Sequence, residues 1–211
     1  WNVQPGEIAR RINEAELMQY DTALGIIIND GTTAYIKANG KLIAEIHGGA
    51  YDFIKPEELE SLLNTRIGGL RSGIGNGFRF IANLILGRRV KDQISNQADE
   101  LRQLQSLDHT IEYLKKGALF SITFKVDKSF QLIFGAVHPV PAAYNDFIPM
   151  KVRTRYLDVD MGIRAFFRIE KFDHFADHYL GDNNSVTTRS LAHQITPIVQ
   201  SVIQECMHDV E

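Results

Sequence analysis

Apolar and polar residues alternate along two separated parts of the chain, residues 20–54 and 118–170. A period of two predicts half-buried β-strands in both parts. Asp30-Gly31 and Asn39-Gly40 interrupt the first part, and both pairs tolerate the positive φ angles of tight hairpin turns. With a further turn at Gly48-Gly49, the first part predicts a β-meander.

The second part predicts two strands followed by a longer ribbon. The strands cover residues 119–126 and 130–134, with a turn at 127–129. Alternation resumes over residues 148–170 and changes parity near Tyr156-Leu157. Because a shift of one residue turns every side chain to the other face, this change requires a bulge or a turn.

Apolar residues recur at helical spacing elsewhere. Residues 5–18 predict a short helix, and residues 92–116 predict an amphipathic helix that ends at Gly117. Residues 172–180 predict another short helix. A last helix is expected from Ser185, as its cap, to about residue 208.

Pro197 lies inside the span of this last helix. A proline there lacks the N–H for one helical hydrogen bond, and its ring meets the preceding turn. We therefore expect a kink or a split at this position.

These elements predict an α+β fold: a twisted antiparallel sheet with packed helices. A helical insertion, residues 57–117, separates the strands of residues 20–54 and 118–170, and helices follow over 171–208. The prediction is a single domain that covers residues 1–211.

Composition narrows the classes of function. The net charge is −3, which argues against nucleic acid as a partner, since phosphate-binding domains have a basic excess. Cys206 is the only cysteine, so no intrachain disulfide forms, and a reducing, cytoplasmic compartment is expected. No apolar run reaches the roughly 18 residues of a membrane span. Because the chain begins at Trp1, we expect it to be a piece of a longer protein.

Residues 66–91 carry basic side chains and glycines but no acidic residue. Their apolar residues recur three and four apart, which predicts a helical face with cationic edges. Contact with an anionic membrane, contact with a protein, and packing within the domain are all open. The candidate interaction surface consists of Arg66, Arg71, Phe78, Arg79, Ile81, Ile85, Arg88 and Arg89.

Three other patterns were considered for chemistry. The glycines at 73, 75 and 77 lack the spacing of a nucleotide-binding loop. His174 and His178 lie four apart, and Asp158 and Asp160 share one face of a strand. These four residues would be the site of a metal- or small-ligand-dependent enzyme, but a solvated surface explains them better. No catalytic, cofactor-binding or metal-binding residue is assigned.

Two segments and the order of the elements resemble the stomatin/prohibitin/flotillin/HflK-C (SPFH, or band-7) superfamily. The segments are GKLIAEIHGGAY, residues 40–51, and VRTRYLDVDMGIRAFFRIEKF, residues 152–172. The chain is also similar to bacterial members labelled virion core protein-like, with residues 130–141 and 148–172 matching best. The resemblance covers residues 20–60 and 118–208, and residues 66–91 depart from it as an insertion.

This resemblance implies a non-enzymatic scaffold that forms homo-oligomers and organises membranes or partner proteins. The expected partners are copies of the chain itself and a membrane surface or membrane proteins. No cofactor and no nucleic acid are implied. The expected localisation is cytoplasmic, and the resemblance implies a peripheral association with the inner face of a membrane. An anionic-lipid-binding module centred on the arginines of residues 66–91 is an alternative.

Overall fold

The computed structural model describes residues 3–20, 22–67, 75–89, 97–135, 150–153, 157–181 and 183–208. Their contacts group into two compact units. Unit one comprises Ala9–Asp127 with the described residues of 1–4, and unit two comprises Lys128–Glu211, where described, with Pro5–Ile8.

Unit one contains five strands and four helices. They are β1 (Glu7–Asn13), α1 (Glu14–Leu17, followed by a 3-10 turn), β2 (Gly25–Ala38), β3 (Lys41–Asp52), α2 (Pro56–Ile67), α3 (Asn76–Leu86), β4 (Arg88–Arg89), α4 (Gln97–Lys115) and β5 (Phe120–Val126). The strand order is β4-β3-β2-β5-β1, and the neighbouring strands are antiparallel. Helix α4 is followed by Gly117, as predicted, at φ 69°.

The long hairpin of β2 and β3 replaces the predicted meander. Asn39 and Gly40 form its turn with φ angles of 47° and 79°, which confirms the turn predicted there. Asp30-Gly31 is not a turn, because β2 continues through it with a register shift between Ile28 and Thr33. Since β2 pairs with β3 on one side and β5 on the other, the extra residues become a bulge. Gly48-Gly49 likewise lies inside β3.

The helix predicted over residues 5–18 is wrong, because Glu7–Asn13 form the strand β1. β1 pairs antiparallel with β5 from Ala9↔Lys125 to Asn13↔Ser121, and only α1 is helical. Ile8 and Ile12 are four apart, a spacing that fits one face of a helix and one face of a strand equally well. Hydrogen bonding along β5 decides between them.

Unit two contains a three-stranded antiparallel sheet and a long helix. Its elements are β6 (Phe130–Gly135), β7 (Met150–Arg153), β8 (Asp158–Phe167), α5 (Phe172–Phe175, continued by a π-turn over Ala176–Leu180), β9 (Ser185–Thr187) and α6 (Thr188–His208). The order is β6-β8-β7, and β9 lies beside β1, whose residues Glu7 and Ile8 group with this unit. β7 and β8 run antiparallel. The bulge or turn expected near Tyr156-Leu157 involves residues 154–156, which lie outside the described residues.

Helix α6 begins two residues later than predicted. Ser185 belongs to β9, and Thr187 is the cap: its Oγ1 accepts from the Ser190 N–H at 3.0 Å, and the Ser190 hydroxyl accepts from the Thr187 N–H at 2.9 Å. The helix is not split at Pro197. Pro197 is exposed, so the carbonyl that loses its helical partner lies on the side that water reaches.

The α+β class is confirmed. The strands, however, are distributed over two sheets instead of the single sheet that the sequence predicted. The single domain over residues 1–211 stays a prediction.

Candidate interaction surface

The apolar residues of the predicted interaction surface belong to the core of unit one. Phe78 and Ile81 have no exposed surface, and Ile85 is buried as well. The Phe78 ring meets Phe120 of β5 edge to face, with 5.5 Å between the centroids. Residues 66–91 were open to contact with a membrane, contact with a protein, or packing within the domain. For the apolar face of α3 the third alternative applies, because that face packs against its own unit.

The arginines of that predicted surface have different positions. Arg66 Nη1 donates a hydrogen bond to Asp108 Oδ1 of α4. Arg79 Nη2 lies 3.6 Å from Glu60 Oε1 of α2. Arg88 and Arg89 form β4, whose backbone pairs with β3, and Arg71 lies outside the described residues. Acidic residues absent from the local sequence thus come from α2 and α4. Contact between these arginines and a lipid or protein stays a prediction.

Two of the four candidate enzyme residues, Asp158 and Asp160, lie on β8 beside basic residues of β7. Asp158 and Asp160 stand opposite Arg153 and Lys151 on β7, and Arg153 Nε lies 3.9 Å from Asp158 Oδ1. Opposite charges at facing positions stabilise neighbouring strands. The two aspartates are therefore accounted for by strand pairing.

The paired histidines lie on the helical turn after β8. The rings of His174 and His178 are 6.5 Å apart, and both residues are exposed. Within the described ranges, no group of three or more His, Cys, Asp and Glu side chains is arranged to hold a metal ion.

A polar network crosses the sheet of unit one where β2, β3 and β5 lie side by side. Thr33 Oγ1 donates to Asp127 Oδ2 at 2.8 Å and lies 3.0 Å from His47 Nδ1. Since a threonine hydroxyl has one proton, His47 Nδ1–H is the donor in the second bond. Lys125 Nζ lies 2.8 Å from Asp127 Oδ1, and 5.8 Å above the Tyr35 ring.

The charges of this network compensate one another. Burial raises the pKa of Asp127, but hydrogen bonds from Lys125 and Thr33, with the charges of Lys125 and His47, outweigh burial and hold that pKa below its usual value. Lys125 is buried, and Asp127 supplies its counter-charge.

The geometry of the network is that of a structural one. Thr33 is 2% exposed, so no substrate reaches its hydroxyl. Its proton is directed to the carboxylate, and the histidine donates to the threonine instead of accepting from it. A nucleophilic triad needs the opposite order, in which the histidine takes the hydroxyl proton.

Helix α6 of unit two covers the free edge of β7 with two glutamines. Gln204 accepts from the Arg153 N–H at 2.9 Å and donates to the Arg153 carbonyl at 2.5 Å. Gln200 donates to the Lys151 carbonyl at 2.7 Å. Four helical residues rise about 6 Å and two strand residues about 6.6 Å, so the two spacings match.

The opposite side of α6 presents an apolar stripe to solvent. Ile198 is 57% and Val202 is 54% exposed, and Cys206 is exposed one turn further on. Residues four apart on a helix are neighbours, so the three side chains form one continuous row. We name Ile198, Val202 and Cys206 the α6 stripe.

The sequence contained this stripe, but its pattern did not separate it from the buried face. Ile195 and Val199 are also apolar, and hydrophobic periodicity alone assigns all of these residues to the core. The distinguishing signal is Gln200 and Gln204, polar residues whose amides need partners when the helix packs on a strand edge.

No helix among the described residues is long and apolar enough to cross a membrane. Comparisons with protein-family models, with curated proteins and with solved structures found no significant match.

Proposed function

We propose that the chain is a non-enzymatic scaffold of the SPFH type, whose copies associate through the α6 stripe. The observation that carries the proposal is the exposure of Ile198 and Val202, each more than half accessible, beside Cys206 on one line of a well-anchored helix. Contiguous exposed apolar patches mark interaction sites on proteins, whereas single scattered residues do not, and these residues adjoin one another.

A second copy of the chain is the partner that this stripe fits. A two-fold symmetric contact brings the same patch of both subunits together, so one stripe supplies both sides. A net charge of −3 gives only a small repulsion between copies. The resemblance of the chain to SPFH proteins, which implies homo-oligomers, supports the same partner.

The size of the stripe sets the strength of this contact. Complete burial of a Val or Ile side chain contributes about 1.5–3 kcal/mol, and the exposed halves of two such residues per copy contribute about 3–6 kcal/mol per dimer. Association costs at least about 4 kcal/mol in lost freedom of motion. After this cost the stripe contributes at most about 2 kcal/mol, whereas pairing at about 100 μM protein needs about 5.5 kcal/mol. The stripe is therefore only part of the proposed contact, and neighbouring surface must contribute the rest.

The other two functions raised by the sequence have less support. A metal-dependent enzyme needs converging ligands, whereas Asp158 and Asp160 face basic residues of β7. A lipid-binding module needs exposed apolar residues between the arginines, whereas Phe78 and Ile81 are buried. In this proposal, the assembled scaffold, and not the single chain, associates with a membrane or with partner proteins.

Disulfide trapping tests the contact. In a Cys206→Ser background, Val202→Cys places a thiol at the centre of the stripe, and mild oxidation is expected to give a covalent dimer. Lys151→Cys, also exposed but on β7, is the collision control and should give little product. Equal yields from the two variants would reject the stripe as the contact. Once Val202→Cys has given a covalent dimer, the unmodified chain reports the direction of the helices: a disulfide through Cys206 indicates parallel helices, and no such disulfide indicates antiparallel ones.

A further inference from the structure

A cavity of about 280 Å³ lies within unit one, bounded by the residues before β2, the residues after β3, and helices α2 and α3. Leu24, Phe53, Leu59 and Leu63 form its apolar wall. Leu59 and Leu63 are buried, and the Phe53 ring is held edge to face by Phe80 at 5.3 Å. The volume is close to the lower end of the range for ligand pockets, so a small molecule fits.

Asn83 of α3 lines this cavity and has an unusual property. Its Oδ1 is buried and has no hydrogen-bond partner, the only side-chain atom of that kind within the described parts of the chain. Buried polar atoms in native proteins are nearly always paired, so an exception calls for an explanation. Rotation about the terminal bond of an asparagine is soft, and it can turn the amide oxygen toward a donor in the cavity.

The charged residues of the lining favour an anion. Arg79 lies one turn before Asn83 on α3, and Lys55 lies just before α2, while Glu60 is the one acidic residue of the lining. Arg79 and Glu60 are 3.6 Å apart, a long contact. A guanidinium group has five N–H donors, so this contact leaves Arg79 able to bind a carboxylate as well.

We propose that this cavity binds a small amphipathic carboxylate: an apolar body of about one ring, a carboxylate held by Arg79 and Lys55, and a hydroxyl that donates to Asn83. The apolar body lies against Phe53 and the leucines of α2. The proposal concerns unit one alone and does not depend on the contact through α6.

Three matched probes test each part of this ligand on the full chain. They are 4-hydroxyphenylacetate, phenylacetate, which lacks the hydroxyl, and 2-(4-hydroxyphenyl)ethanol, which lacks the carboxylate. Dissociation constants come from NMR titration of the protein. We expect 4-hydroxyphenylacetate to bind tightest and phenylacetate about three- to tenfold more weakly, the effect of one hydrogen bond. The alcohol should also bind more weakly, by a factor that falls with added salt.

Two asparagines of the lining give a matched pair of variants. Asn83→Leu should remove the difference between the first two probes, whereas Asn64→Leu, which alters an exposed amide, should preserve it. Arg79→Gln should reduce the difference between the first and third probes, and Lys55 accounts for what remains. Asn83→Leu removes an unpaired polar atom, so its melting temperature should equal or exceed that of the unmodified chain.

Two results would overturn the proposal. One is the lack of saturable binding of all three probes at millimolar concentration. The other is a preference for the hydroxyl that Asn83→Leu leaves unchanged while the variant remains folded.

Discussion

At the scale of single residues, Asp127 connects two strands of unit one through its carboxylate. It directly follows β5 and contacts Lys125 of that strand and Thr33 of β2. It provides the counter-charge for a buried lysine, and it accepts a hydrogen bond from the hydroxyl group of a buried threonine. Its role is to connect β2 and β5.

The substitution Asp127→Asn is expected to reduce the free energy of unfolding by about 1–3 kcal/mol at pH 7, since it removes a charge-assisted hydrogen bond and the counter-charge of Lys125. The pKa of Asp127 is lowered in the folded chain. The stabilisation is therefore complete above the unfolded-state pKa near 4 and is lost as the pH falls through the lower, folded value. Urea unfolding between pH 7 and pH 3 should show the two proteins converging below about pH 4.

The matched control for that experiment is Asp30→Asn, because Asp30 is exposed in the bulge of β2. It should change stability by no more than about 0.5 kcal/mol. A loss for Asp127→Asn that stays constant from pH 7 to pH 3 would show that ionisation of this carboxylate is not involved.

Gly77 makes possible the close contact between α3 and α1. A Cβ atom there would lie 2.5 Å from Glu14 Cγ and 2.8 Å from the Glu14 carbonyl oxygen, so the backbone must shift to accept it. Gly77→Ala is expected to destabilise the chain by about 1–3 kcal/mol. At Gly75 the nearest atom is 3.9 Å away, so Gly75→Ala should cost clearly less. Thermal unfolding of both variants checks the order, and a reversed order would contradict the close packing.

At the scale of elements, one side of α6 packs on the edge of β7 and the opposite side is exposed. Gln200 and Gln204 complete the hydrogen bonding of the β7 edge, and the stripe of Ile198 and Val202 stays open. An uncovered strand edge can pair with other chains, so the glutamines protect this edge.

Replacement of Gln204 by methionine tests the cover of β7, because methionine keeps the length of the side chain and removes the amide. The Arg153 N–H would lose its acceptor, and its hydrogen exchange should accelerate about tenfold, the equivalent of one hydrogen bond. Gln194→Met, at an exposed position of the same helix, is the control. Unchanged exchange at Arg153 would show that the amide contributes no protection there.

The elements that the sequence predicted correctly are those with a local cause. Asn39-Gly40 adopts the positive φ angles that a tight turn needs, and Gly117 follows α4 in the same region of φ. Asp30-Gly31 has equally good turn chemistry but becomes a bulge, because strands on both sides hold β2 extended. The bulge at Asp30-Gly31 depends on β5, a strand that is distant in sequence, so no local pattern predicts it.

At the scale of the molecule, the sequence predicted the class of fold but not the grouping of the strands. β5 joins β2 and β1, whereas β6, only four residues later, belongs to the other sheet. Both strands alternate in the same manner, so their periodicity cannot show which sheet they enter. The predicted interaction surface was placed on residues 66–91 instead of α6 for a related reason. Both α3 and α6 are amphipathic, and only the packing shows that α6 keeps apolar residues exposed.

Sedimentation equilibrium from about 5 to 300 μM tests the central claim, self-association through α6, most directly. Self-association predicts an average mass that rises above the 23.9 kDa of one chain within this range. It also predicts that Val202→Glu remains at one chain throughout, while Gln194→Glu, exposed on the same helix, behaves as the unmodified chain does. A mass of one chain for the unmodified protein at every concentration, or association that Val202→Glu does not weaken, would contradict it.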